Sequence, residues 1–167
     1  MAMIMLAIRL DSKGPVFYTQ TRVGKAGRIF KVVKFRTMRQ DAEAASGPKW
    51  AGDNDPRVTR VGKFLRSSRL DEIPQLWCVL KGEMAFVGPR PERPEFVELF
   101  ETDIRRYGDR HRVKSGVTGW AQVHGLRGQT SLSDCVEWDN YYIEHWTLGL
   151  DVKILALTML EVLRPAE

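Results

Sequence analysis

The chain is poor in cysteine, with only Cys78 and Cys135 among 167 residues. They form no C-x-x-C and share no ligand spacing with a histidine, which argues against a structural zinc site and suits a reducing compartment. Histidine is sparse as well. His111, His124 and His145 are scattered, none at metal-ligand spacing, and none is assigned a role. No stretch reaches the roughly 18 to 20 apolar residues needed to span a bilayer. Neither GxxxxGK[ST] nor GxGxxG occurs, so RVGKAGR is not a phosphate-binding or dinucleotide loop, and no GxSxG nucleophile turn is present. Internal repeats, low-complexity tracts and a linker long enough to separate two domains are also missing. Residues 1–167 therefore read as a single domain.

What remains is globular in composition: 43% hydrophobic and 28% charged residues. Lys and Arg outnumber Asp and Glu by 26 to 21, a net charge of +5. That excess permits nucleic acid, nucleotides or an anionic membrane surface as partners without choosing among them. The opening MAMIMLAIRLD is apolar for about ten residues. It lacks the charged start and small-residue cleavage site of a signal peptide. Residues 1–10 read as the end of a longer hydrophobic element, the alternative being a short buried helix.

From Gly14-Pro15 a hairpin is expected: PVFYTQTRV and IFKVVKFRTM are rich in β-formers, with turn chemistry in the intervening Gly24-Lys25-Ala26-Gly27. Residues 40–56 are polar and small, as in a helical turn followed by a surface loop. In RVTRVGKFLRSSRLDEIPQLWCVLKG, steps of three and four place Val61, Phe64, Leu65, Leu70, Ile73, Leu76, Trp77 and Leu80 mostly on one stripe. This predicts an amphipathic helix with a kink or break near Leu70 to Ile73, caused by Pro74. A short strand in GEMAFVG, a helix over Phe96 to Tyr107, a strand in GVTGWAQVHG and a helix over Ser133 to Arg164 complete the expected order.

Three constellations could carry chemistry. Asp71 and Glu72 adjoin each other just before Pro74 and follow Arg66 and Arg69. An acidic pair among arginines can hold a divalent cation and meet an anionic phosphate; it is equally what a salt-bridged surface helix would carry. GPRP presents Arg90 on a rigid loop suited to bidentate phosphate recognition, or is an ordinary proline-rich turn. Lys34 and Arg36 share one face if KFRTM is a strand, as a phosphate-facing pair or a protective basic edge.

Taken in order, LDSKGPVFYTQTRVGKAGRIFKVVKFRTM, DPRVTRVGKFLRSSRLDEIPQLWCVLKGEMAFVGPRPE, GVTGWAQVHGLRG and DNYYIEHWTLGLDVKIL resemble the monotopic phosphoglycosyl transferases, or bacterial sugar transferases, over almost the whole chain. The resemblance implies an α+β fold: a small β-hairpin or sheet, several amphipathic interfacial helices and extensive irregular loops. It implies transfer of a hexose-1-phosphate from a UDP-sugar to polyprenyl phosphate at the cytoplasmic face of the bacterial inner membrane, initiating polysaccharide or glycoconjugate synthesis.

In that mechanism Asp71 is the nucleophile that carries the phosphosugar as UMP leaves, and Glu72 binds the required Mg²⁺. Lys34, Arg66 and Arg90, with Arg36 and Arg69 as further candidates, are the expected phosphate-facing cations. Asp151, or else Asp139, matches a further acid. GWAQVHGLRGQT resembles the branch handling glucose- or galactose-1-phosphate. The family's N-terminal re-entrant membrane helix is represented here by its end at most. Competing readings are an inactive membrane-surface module that binds UDP-sugar or lipid, and a nucleic-acid-binding protein, for which no helix-turn-helix, RNP or zinc-finger signature exists.

Overall fold

A computed structural model of the chain describes residues 1–42, 52, 55–126 and 131–163. They divide into two compact units. One is formed by Met1–Thr19 and Val33–Pro74, the other by Gln20–Val32 and Gln75–Arg164. The expected region 40–56 lies largely outside the described residues. The class is the expected α+β, with two two-stranded sheets among helices.

The first unit opens with helix α1 (Ala2–Asp11). Its Ile4, Met5 and Ile8 pack with Val16, Phe35, Val61, Leu65 and Leu70. On the other side Met3, Leu6 and Leu10 are exposed, Met3 by 85%. The helix stops at Ser12, whose backbone is extended. Gly14 then takes φ +121°, a value that favours glycine. Helix α2 (Arg60–Ser67) is held at its start by two side-chain acceptors. Thr59 Oγ1 accepts from the Gly62 N–H at 3.0 Å, and the Asp11 carboxylate accepts from the Val61 N–H at 2.9 Å. Both satisfy first-turn donors that a helix leaves unbonded. Gly62 sits so close to Thr37 that a Cβ there would strike the Thr37 carbonyl.

Strands β1 (Phe17–Val23) and β2 (Ile29–Phe35) form the expected hairpin. The connection is a 3-10 turn, Lys25–Gly27, in which Ala26 and Gly27 both have positive φ.

In the second unit, strands β3 (Ala85–Val87) and β4 (Gly116–Thr118) pair in parallel, Ala85 opposite Gly116 and Val87 opposite Thr118. The crossover between them carries helix α4 (Pro94–Asp103), which begins on a proline as a first helical turn tolerates, and the 3-10 turn Tyr107–Arg112. One core cluster gathers Val87, Trp120, Val123, Tyr142 and Ile154; another gathers Val23, Val97, Tyr107 and Val136.

Four boundaries differ from the sequence expectation. The long amphipathic helix is α2, a break at Ser68-Arg69, a 3-10 turn over Leu70–Gln75, and helix α3 (Leu76–Leu80). The helix expected over Phe96 to Tyr107 is α4, which ends at Asp103. The expected strand in GVTGWAQVHG ends at Thr118 and gives way to helix α5 (Trp120–Val123). The single C-terminal helix is two, α6 (Leu132–Glu144) and α7 (Leu148–Leu163). Between them, past the polar Glu144 and His145, Thr147 Oγ1 accepts from the Leu150 N–H at 3.0 Å, so a hydroxyl cap starts the second helix. Among the described residues no helix is long and apolar enough to cross a membrane.

Candidate active site

The acidic pair sits where the first unit changes direction. After α2, Arg69 adopts φ +57°, a left-handed conformation that costs a side-chain-bearing residue about 1–2 kcal/mol. The chain then tightens into the 3-10 turn Leu70–Gln75, with the Glu72 N–H donating to the Arg69 carbonyl at 3.3 Å. Pro74 lies inside this turn and has no N–H to continue a helical ladder. The kink or break expected near Leu70 to Ile73 thus begins at Arg69, just before it, and continues through the 3-10 turn. On a three-residue turn neighbours diverge by about 120°, so Asp71 and Glu72 face different directions. Both are half-buried.

Lys34, near the end of β2, reaches Glu72: its Nζ lies 2.6 Å from Oε1, with side-chain exposures of 19% and 18%. The pair is partly shielded, so it is worth more than a surface ion pair. Arg66 is exposed in the last turn of α2, and its carbonyl accepts the Arg69 N–H.

Arg36 has a different setting from the phosphate-facing one expected of it. It is 5% exposed, and its guanidinium donates to the carbonyls of Ser12 and Lys13, where α1 ends. Burial, then the nearby charge of Arg9, lowers its pKa from the ordinary arginine value. The structure makes Arg36 a tie between β2 and the end of α1.

In the second unit the GPRP loop continues β3, and Arg90 is exposed on it between the buried Pro89 and Pro91. Four successive carbonyls of this loop accept hydrogen bonds. Pro89 takes one from the Gly116 N–H at 2.9 Å, Arg90 from Arg110 Nη2 at 3.1 Å, Pro91 from Arg22 Nη1 at 3.1 Å and Glu92 from the Val23 N–H at 2.9 Å. Gly88, Gly116 and Gly119 let the backbones interlock: a Cβ on Gly88 would meet the Lys114 carbonyl, and one on Gly119 the Gly88 carbonyl. The loop that carries Arg90 is thus fixed by donors from β4, from the turn Tyr107–Arg112 and from β1.

The two candidates for a further acid are environmentally distinct. Asp139, on α6, is 3% exposed and bonds Arg110 Nε at 2.8 Å. Burial pushes its carboxyl up, and the Arg110 charge pulls against that. Asp151, in the first turn of α7, is half-buried and accepts from Tyr142 Oη at 2.8 Å and Trp146 Nε1 at 3.1 Å. Burial, then the bond to Asp151, raises the Tyr142 phenol well above its ordinary range. Asp139 thus balances a buried cation, whereas Asp151 accepts only neutral donors in these contacts.

Arg110 and Arg22 carried no sequence signal. Arg110 lies in YGDRHRVK, a charged run that reads as a solvated face, and Arg22 lies in a strand otherwise read as a hairpin edge.

A magnesium ion takes one or two protein carboxylates and completes its shell with phosphate oxygens and water. Glu72 would supply one carboxylate of that kind. Among the described residues no group of three or more His, Cys, Asp or Glu forms an all-protein cage.

Comparison with known proteins gives one consistent answer. The family model described as bacterial sugar transferase matches residues 1–165. A UDP-glucose:undecaprenyl-phosphate glucose-1-phosphate transferase of Xanthomonas campestris is 44% identical over 98% of this chain and 34% of its own length. A UDP-N-acetylgalactosamine-undecaprenyl-phosphate N-acetylgalactosaminephosphotransferase of Aeromonas hydrophila is 47% identical over 93% of this chain and 37% of its own. A glucose-1-phosphate transferase of Escherichia coli K12, named like the first, is 46% identical over 93% and 34%. The chain spans about a third of the length of these relatives.

Proposed function

The chain belongs to the bacterial sugar transferase family, and from that premise we propose that it transfers a hexose-1-phosphate from a UDP-sugar to polyprenyl phosphate. What supports the reading is the turn begun by left-handed Arg69, which carries Asp71 next in sequence to a Glu72 held by Lys34 at 2.6 Å.

In this mechanism an Asp71 carboxylate oxygen attacks the phosphorus that bears the sugar. The bond from that phosphorus to the bridging oxygen breaks, and UMP leaves with its electron pair. The phosphosugar remains on Asp71 as an acyl phosphate. A phosphate oxygen of the polyprenyl acceptor then attacks the same phosphorus, and the Asp71 carboxylate departs. Two displacements at one nucleophile give ping-pong kinetics.

The chief obstacle is repulsion between a carboxylate and a diphosphate, on the order of 4 kcal/mol at about 4 Å and an effective dielectric of 20. Arg66, Arg69 and Arg90 are the cations proposed to offset it by pairing with phosphate oxygens. Lys34 orients Glu72 and partly neutralises it. Glu72 is where Mg²⁺ would be held, and the ion when bound would supply charge for the phosphate oxygens.

The names of the relatives point to undecaprenyl phosphate as acceptor, and to UDP-glucose or UDP-N-acetylgalactosamine as donor. The proposed place of action is the cytoplasmic face of the inner membrane. Exposed apolar side chains support a membrane surface: Met3, Leu6 and Leu10 on α1, and Leu148, Val152, Leu155, Met159 and Leu160 on α7.

UMP release from a panel of UDP-sugars, with Mg²⁺ and polyprenyl phosphate in detergent, tests the reading. Asp71→Asn is expected to abolish turnover and any phosphosugar adduct on the protein. Full activity in that variant would rule out the covalent route.

A further inference from the structure

Arg110 and Asp139 form the most deeply buried ion pair among the described residues, with side-chain exposures of 6% and 4%. Such a pair is a poor source of stability. Stripping two charges of water costs several kcal/mol per ion, and well-packed apolar residues of similar volume often serve a core as well or better. The second core cluster lies around it, with the Tyr107 ring 5.1 Å from the Arg110 guanidinium. Burial opposes the charged guanidinium, but Asp139 and Tyr107 outweigh it and raise its pKa above the ordinary value.

A leucine or methionine in place of Arg110 would fill the space. It could not do what the guanidinium does with its remaining donors. Nη2 donates to the carbonyl of Arg90 at 3.1 Å, while Nε is committed to Asp139 at 2.8 Å. The fork of a guanidinium is planar and rigid, so fixing one edge aims the other. Asp139 therefore sets the direction in which Arg110 meets the loop. The neighbouring carbonyls are held by groups of the hairpin and of β4, whereas the carbonyl of Arg90 itself is held by this charged side chain.

We infer that Arg110 and Asp139 are positioning residues for phosphate recognition, fixing the backbone at Arg90 so that its exposed side chain meets a diphosphate in one preset geometry. The inference rests on the reading of Arg90 as a phosphate-binding cation. Neither residue touches substrate. Their effect is to remove the ordering that a mobile loop would otherwise undergo at each encounter.

The test is a set of variants of the full chain assayed for UMP release from UDP-glucose and UDP-N-acetylgalactosamine, with thermal midpoints recorded alongside. Arg110→Lys keeps the cation beside Asp139 but loses the fork. It is expected to lower kcat about tenfold, the effect of misplacing one charge-assisted contact. In an Arg90→Lys background the same change is expected to have less than about a twofold further effect, since groups that act through one another are not additive. The double variant Arg110→Met/Asp139→Leu is expected to melt within a few degrees of the parent and still turn over poorly. Val136→Ala, in the same core cluster, is expected to melt lower while turning over normally at temperatures where it remains folded.

Equal losses for Arg110→Lys in both backgrounds would overturn the inference and leave the reading of Arg90 intact. So would a stable double variant of full activity. Normal turnover in Arg90→Lys and Arg90→Ala would instead remove Arg90 from the site, and this inference with it.

Discussion

Lys34 Nζ and Glu72 Oε1 are 2.6 Å apart, joining the end of β2 to the turn that carries the acidic pair. The contact spans 38 residues of sequence and is partly shielded from water. Its two ends come from segments that separately look like an exposed basic strand edge and an ordinary charged helix.

Removing the Lys34 end takes from a half-buried carboxylate the ammonium that lies 2.6 Å from it. Hydrogen bonds to charged groups contribute about 1.5–3 kcal/mol. Lys34→Met is therefore expected to reduce turnover by roughly 10- to 100-fold, and Lys34→Arg to recover part of it. Steady-state UMP release at saturating Mg²⁺ measures this. Unchanged turnover in Lys34→Met would detach the pair from the chemistry.

Gly62 tests the packing beneath that turn. A Cβ there meets the Thr37 backbone, which cannot swing aside as a flexible side chain could. Forcing atoms into such a site costs typically 1–3 kcal/mol. Gly62→Ala is expected to lower the thermal midpoint by several degrees, whereas Gly27→Ala, with open space but φ +73°, is expected to lower it less. Calorimetry of the two variants separates steric from conformational strain.

His111 gives the fold a pH dependence. Burial, then the neighbouring charge of Arg110, lowers its pKa below the ordinary 6.5, with Glu101 opposing. The unfolded chain then binds more protons at this site than the folded one does, so stability rises with pH. The contribution is complete above about pH 6.5 and is lost as pH falls through the lowered folded value. Thermal melts between pH 7 and pH 5 are expected to show a declining midpoint, with a shallower decline in His111→Gln. Parallel slopes would assign the dependence elsewhere.

The exposed stripe on α1 predicts a lipid dependence. Met3, Leu6 and Leu10 expose large apolar side chains at three- and four-residue steps. Each buries up to about 1.5–3 kcal/mol of apolar surface when it enters a hydrocarbon environment. Replacing all three with serine is expected to weaken co-sedimentation with anionic vesicles by at least about tenfold. Equal partitioning of both proteins would exclude this face from membrane contact.

The hairpin is legible in the sequence, from β-formers on either side of Gly24-Lys25-Ala26-Gly27. The pairing of Lys34 with Glu72 is not, since its two ends lie 38 residues apart. Periodicity failed where a local conformation overrode it. One left-handed residue, Arg69, ends the first helix after the polar run Arg66-Ser67-Ser68, and one hydroxyl, Thr147, caps a second helix just past Glu144-His145. Each break is made by a single residue's conformation or cap, which a period read over a dozen residues does not locate. The clamps on the Arg90 loop were invisible for another reason: Arg110 and Arg22 act through atoms 20 and 69 residues away in sequence. Arg36 lies one residue past β2, so the strand alternation expected to pair it with Lys34 does not govern it, and its guanidinium turns to the carbonyls of Ser12 and Lys13.

Left-handed Arg69 bears on any attempt to make a heat-tolerant version of this protein. Automated stabilisation schemes replace residues at such angles with glycine or asparagine, and here they would find an attractive target. The gain in melting temperature would come from deleting a guanidinium two positions before Asp71. A library screened for survival on heating would enrich that change, and one screened for product would discard it.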